Sequence, residues 1–212
     1  MQDKNTYPTE AQIHEKQQLL LGRRFVAKSL SELRTPEWAQ VKISNFMKKP
    51  TNFLVYCGNP GLGKTHLISG MFEWIMKNYG QNWRYWKEDR LLENLRSSMD
   101  SMKGDYLQHL KYMIDAEFLI LDDVGSSKKK TDWREEVLFD LIDTRYNSMQ
   151  PTIITSNFSE QEFKEFYHPR IHSRLFSKEN TIIEILDGID FRLVEIEETT
   201  KEMQKKEFEK KD

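Results

Sequence analysis

The chain has 212 residues, with 32 Lys and Arg against 34 Asp and Glu and a formal charge of −2. That balance excludes a uniformly basic nucleic-acid coat, and 38% hydrophobic with 12% aromatic residues excludes a disordered chain. The single cysteine, Cys57, excludes an internal disulfide and a cysteine-rich zinc site, and no apolar run approaches the ~20 residues that span a bilayer. Met1–Glu10 lacks the apolar stretch of a signal peptide, so a cytoplasmic protein with no membrane partner is expected.

In chain order, residues 1–50 are polar and predict short helices joined by turns. Thr9 with Gln12 and Ser29 with Glu32 have capping-box spacing, Gly22 is a stop for the first helix, and Thr35-Pro36 reads as an N-cap followed by Pro at the first helical position. Leu19, Leu20 and Leu21 are more apolar than an isolated helix should expose, which predicts docking on the core or on a partner. From residue 53 short apolar runs alternate with longer helical stretches. Strands are expected at 53–57, 83–86, 118–121, 152–155 and 181–185, and helices at 64–79, 88–114, 131–147 and 159–176. Asp132 with Glu135 and Ser159 with Glu162 again have box spacing. Such alternation implies an α/β protein with a parallel sheet covered on both faces. Three regions follow: a helical extension at 1–50, a core at 51–194 and a charged tail at 195–212.

Gly58-Asn59-Pro60-Gly61-Leu62-Gly63-Lys64-Thr65 fits G-x-x-x-x-G-K-[ST] and lies between a predicted strand and a predicted helix. Glycines let successive backbone N–H groups turn inward around phosphate oxygens, and the helix N-terminus adds its positive end. In that arrangement Lys64 reaches the β- and γ-phosphates of a nucleoside triphosphate and the Thr65 hydroxyl ligates Mg²⁺. The strand Phe118-Leu119-Ile120-Leu121 ends in Asp122-Asp123, and an apolar strand tipped by two acids suits a metal beside phosphate. Asp122 is expected to hold the hydrated Mg²⁺ and Asp123 to polarise the attacking water. A third strand ends in Asn157, an amide able to place water or touch the γ-phosphate. Arg170 and Arg174 stand four apart, on one helix face, where one can reach the γ-phosphate of a neighbouring subunit. The histidines His14, His66, His109, His168 and His172 have no metal-ligand spacing.

The runs Gly58–His66, Leu119–Gly125, Asp143–Asn147, Pro151–Asn157 and Arg170–Leu175 together resemble the AAA+ ATPases of the DnaC/DnaI helicase-loader group, which also includes the IstB transposition helpers. The resemblance covers residues 50–192. It implies a P-loop fold of three layers with five parallel strands in the order 5-1-4-3-2. It also implies Walker A at 58–65 with His66 beside it, Walker B at Asp122 and Asp123, and sensor 1 at Asn157. Arg174 falls at the arginine-finger position, with Arg170 as accessory, and Arg192 near a late sensor-II-like arginine. The resemblance departs in two ways: only ~50 residues precede the core and carry no cysteine cluster, and no helical lid follows it. A reduced or different partner contact is therefore expected.

The function implied is ATP-dependent loading of a DnaB-like hexameric helicase onto single-stranded DNA, with self-association through the ATP site. DNA contacts are expected from residues 88–114, Lys128–Lys130 and Arg84, Tyr85, Trp86 and Lys87, although Trp86 also suits a core position. Alternatives are a transposition helper on duplex DNA, a nucleotide-gated helicase regulator with little turnover, and a small-molecule P-loop kinase. The last lacks an acceptor-binding lid in the sequence.

Overall fold

The computed structural model describes residues 7–100, 105–126, 130–188 and 190. The chain begins with α1 (Glu10–Leu21), two 3₁₀ turns (Arg23–Phe25 and Leu30–Glu32) and α2 (Glu37–Lys48). Strands and helices then alternate: β1 (Phe53–Gly58), α3 (Lys64–Tyr79), β2 (Trp83–Lys87), α4 (Glu88–Asp100), α5 (Asp105–Ile114), β3 (Phe118–Val124) and α6 (Asp132–Asn147). The series ends with β4 (Thr152–Ser156), α7 (Glu160–Phe166), α8 (Pro169–Leu175) and β5 (Thr181–Ile185). All pairings are parallel and the order is β2-β3-β4-β1-β5, the expected 5-1-4-3-2 seen from the other edge.

Every residue of β1 is buried, and alternate side chains feed opposite layers. Phe53, Val55 and Cys57 join a core with Leu119, Leu121 and Ile154, packed against α4, α6 and α8. Leu54 and Tyr56 face the other way, with Phe118, Ile120 and Ile153, against α3 and α2. Continuous apolar runs are thus what a sheet covered on both sides requires. The N-terminal helices belong to the second layer: Ala39, Ile43 and Phe46 of α2 are buried there, and Ile13, Leu20 and Leu21 of α1 pack against it. Leu20 and Leu21 therefore dock on the core, while Leu19 stays 71% exposed. No helix among the described residues is long and apolar enough to cross a membrane.

Local differences from the sequence expectation have simple causes. The stretch 88–114 is two helices, α4 and α5, and 159–176 is broken at Tyr167 and His168 because Pro169 starts a new helix. Thr131, not Asp132, caps α6, its hydroxyl accepting from Arg134 N; one residue upstream, a Thr serves as well as an Asp. Pro36 occupies the cap position of α2 and Glu37 the first turn, so the Thr35-Pro36 pair sits one residue earlier than expected. The boxes at Thr9–Gln12, Ser29–Glu32 and Ser159–Glu162 are formed as their spacing predicts.

Arg145 is fully buried on α6 and ties several elements together. Its guanidinium donates to the carbonyls of Met113, Ile114, Ala116 and Pro151 and to Thr152 Oγ1. The α5–β3 turn and the start of β4 are thereby fixed to one side chain. Burial lowers its pKa to about 10, which still leaves it charged at neutral pH.

Candidate nucleotide site

The loop from β1 to α3 is forced into shape by glycine at two points. Gly58 has φ 143°, and a Cβ there would lie 1.9 Å from the Ile185 carbonyl oxygen of β5. Gly61 has φ 85°, and a Cβ there would meet the Asp190 carboxylate. The loop is further pinned by Tyr56 Oη donating to Leu62 O (2.7 Å) and by Asn59 Nδ2 donating to Leu186 O (2.6 Å). Lys64 is buried, its Nζ donating to Gly58 O and Asn59 O at 2.6 and 2.8 Å.

The acidic end of β3 is built by a bulge. Leu121 faces Ile154 and Val124 faces Ser156, so three steps of β3 are matched to two of β4. Asp123 absorbs the extra residue with φ 57°. In a regular strand neighbouring side chains alternate, and the bulge separates the two acids in environment. Asp122 is 1% exposed and accepts from Tyr85 Oη (2.8 Å) on β2 and from Thr155 Oγ1 on β4. Thr155 Oγ1 in turn accepts from Asp123 N at 3.1 Å. Burial, followed by the neighbouring Asp123 charge, raises the Asp122 pKa, and the two hydroxyl bonds partly offset this. Asp123 is partly exposed and pairs with Lys87 Nζ at 3.1 Å.

Pro60, Gly61, Gly63, Lys64, Thr65, His66, Asp123 and Asn157 line one cavity of about 690 Å³, within the size range of small-ligand sites. Loop, acidic strand and Asn-tipped strand thus converge at the carboxyl ends of β1, β3 and β4, where open parallel sheets bind ligands. Asp122 sits behind this wall, bonded to Tyr85 and Thr155. Gly58, Asn59 and Leu62 shape the loop without lining the cavity. Arg170 and Arg174 also lie outside it, on α8, and Arg192 falls beyond the described residues.

The other wall comes from residues outside the recognised motifs. Arg24, Phe25, Lys28, Ser31, Glu32, Leu33 and Arg34, from the 3₁₀ segment between α1 and α2, complete the cavity. His66 joins that segment to α3 through its ring Nε2 and the Ser29 carbonyl, 2.9 Å apart. The clue available was three cations, Arg24, Lys28 and Arg34, in a stretch of eleven residues that has no other evident use. Of the expected DNA-facing residues, Tyr85 is bonded to Asp122, Trp86 packs on the core and the Arg84 guanidinium stacks on Tyr112, 3.9 Å from its centroid. Lys130 donates to Phe166 O, and Lys128 and Lys129 lie outside the described residues.

A glycine-built anion loop opposite an acidic strand end and an asparagine, on this strand order, defines a P-loop nucleotide-binding protein of AAA+ type. The chain matches the family described as IstB-like ATP binding protein over residues 25–174, most of its length, and belongs to that family. Among curated relatives, the replicative helicase loader DnaI of Bacillus subtilis is 28% identical over 160 residues, covering 71% of this chain and 49% of that protein. The chromosomal replication initiator protein DnaA of Buchnera aphidicola subsp. Cinara cedri is 29% identical over 123 residues, 57% of this chain and 27% of that protein. The chain thus spans about a quarter to a half of these relatives' length. A crystal structure of the DnaC helicase loader has the same fold, with a TM-score of 0.63 at 24% identity over 76% of this chain and 99% of that one. So does DnaA bound to AMPPCP and single-stranded DNA, with a TM-score of 0.65 at 21% identity over 84% and 55%.

Proposed function

We propose that this protein hydrolyses ATP to load a DnaB-like hexameric helicase onto single-stranded DNA during replication. The observation that carries the catalytic part is the convergence of the phosphate loop, Asp123 and Asn157 on one cavity. The similarity to loader proteins supports the role in replication.

Backbone N–H groups from Asn59 to Thr65, with proline excepted, cradle the triphosphate, and the start of α3 adds its dipole. Lys64 exchanges its loop carbonyls for β- and γ-phosphate oxygens. The donor set fits a hard cation: Thr65 and Asp122, through its water shell, would hold Mg²⁺, which screens the phosphate charge. Asp123 orients and polarises the attacking water, and Asn157 fixes that water or the γ-phosphate. Arg24, Phe25, Lys28 and Arg34 close over the nucleoside side, with His66 holding their segment in place. Arg174, with Arg170 beside it, serves the γ-phosphate of a neighbouring copy, while Arg192 is assigned, as a sensor-II-like arginine, to the nucleotide held by this chain's own phosphate loop. The outer faces of α4 and α5, with Arg90, Arg96 and Tyr112 exposed, offer cations and an aromatic ring to single-stranded DNA.

Steady-state phosphate release and fluorescent-ATP binding, each for wild type and Lys64→Ala, test the enzymatic part. Magnesium-dependent binding and release that Lys64→Ala abolishes are expected; equal inactivity of the two proteins refutes it. Gel filtration with purified replicative helicase, with and without ATP, tests the partner. Membership of the IstB-like family favours a second reading, a transposition helper. Tighter binding to duplex than to single-stranded DNA would select it.

A further inference from the structure

Arg174 is not a loose surface arginine. Its Nε donates to Asp143 Oδ1 on α6 at 2.7 Å, and its guanidinium carbon stands 5.5 Å from the centroid of the Phe139 ring, one turn earlier on α6. The Arg170 guanidinium lies over the same ring at 4.3 Å. Asp143 is itself oriented, because its second oxygen accepts from Asn147 Nδ2 at 3.0 Å. The last turn of α8 is also anchored, by Asn180 Nδ2 donating to the carbonyls of Arg174 and Leu175. In the Asp143–Asn147 run, Arg145 belongs to the core and Tyr146 bonds Ser177 and Glu179. The first and last residues of that run act on the arginine.

We propose that Asp143, with Phe139 beside it, is a positioning residue that presents the terminal nitrogens of Arg174 to the nucleotide of a second copy of this chain. This rests on the trans role given to Arg174 above. The geometry favours presentation over restraint. A carboxylate that takes Nε leaves the outer edge of the guanidinium for a phosphate: Nη1 donates to Ser173 Oγ at 3.2 Å, and Nη2 has no hydrogen-bond partner among the described residues. Ring contact limits the plane in which the guanidinium can turn. A flexible arginine would lose rotamer freedom on reaching the phosphate, and here that freedom is already restricted in the single chain. Phe139 also keeps two cations side by side that would otherwise repel, so one ring serves both Arg170 and Arg174.

The test compares the ATPase of wild type, Arg174→Ala, Asp143→Ala and Asp143→Glu over a range of protein concentration, with nucleotide affinity measured on each. Asp143→Ala is expected to lower kcat about tenfold with KM and nucleotide affinity within about twofold, and Asp143→Glu to recover most of the loss. Asp143→Ala mixed in equal amounts with Asp123→Asn, which keeps an intact Arg174 but a dead site, should regain about half the wild-type rate per intact site in a randomly mixed assembly. A folding defect would not be rescued by mixing. Asp143→Ala at or above the wild-type rate, or no rescue at any ratio, overturns the inference while Arg174→Ala remains inactive. Arg174→Ala at the wild-type rate overturns the trans role itself. A wild-type chain that neither turns over ATP nor self-associates with it overturns both.

Discussion

Thr155→Val removes one oxygen from the centre of the site at nearly constant volume. The hydroxyl is fully buried, donates to Asp122 Oδ1 and accepts from Asp123 N. Valine leaves a buried carboxylate oxygen and a partly buried backbone N–H without that partner. A hydrogen bond to a charged group contributes about 1.5–3 kcal/mol and a neutral one about 1 kcal/mol, so a loss of about 3 kcal/mol of folding stability is expected. Valine suits a strand, which keeps propensity from confusing the result. With a urea slope of about 2 kcal/mol per molar, the unfolding midpoint should fall by about 1.5 M at unchanged slope. Asp122 loses one of the two bonds that hold its pKa down, so magnesium-dependent nucleotide affinity near pH 6 should weaken more than at pH 8. A midpoint within 0.2 M of wild type (about 0.4 kcal/mol) would mean that Thr155 does not hold the two acids together.

Two further outcomes follow from buried groups. The folded-state pKa of Asp122 lies above its unfolded value, chiefly through burial, so its ionisation costs stability. That favourable contribution is complete below the ordinary aspartate value of ~3.9 and is lost as pH rises through the folded pKa. Asp122→Asn should therefore be the more stable protein near pH 7, with the difference shrinking toward pH 4, while losing magnesium-dependent ATP binding. Thermal melts and nucleotide titrations across that range check both halves. Arg145→Met leaves the carbonyls of Met113, Ile114, Ala116 and Pro151 without their shared donor. It should cost about 3 kcal/mol or more and lower Tm by about 6–12 °C; a melt within 2 °C of wild type (~1 kcal/mol or less) would show that the carbonyls find other partners.

Much of this protein is written locally. The phosphate loop is legible because glycine spacing, a preceding buried strand and a following helix are all short-range facts, and 64–79 is helical to the residue. The three central strands β1, β3 and β4 are legible because both faces of the sheet are covered there, which makes them nearly unbroken buried runs, while the edge strands β2 and β5 carry Arg84, Lys87 and Glu184 and are only partly buried. Helix ends are less legible: α2 and α6 start one residue away from the expected cap because neighbouring residues can cap equally well, and the split of 88–114 into α4 and α5 has no proline to mark it.

The residues that surround the phosphate loop belong to a different level. That Arg24, Phe25, Lys28 and Arg34 wall the cavity depends on α1 and α2 docking beneath the sheet, more than thirty residues from the end of α3. Sequence alone put two acids at the end of β3. The one-residue mismatch with β4 decided that Asp122 is buried between Tyr85 and Thr155 while Asp123 faces the cavity. Asp143 meets Arg174 across thirty-one positions because α6 and α8 pack together. Backbone chemistry and hydrophobic period act between neighbours and can be read along the chain. The burial of a charge and the partner it finds exist only once distant elements share a surface.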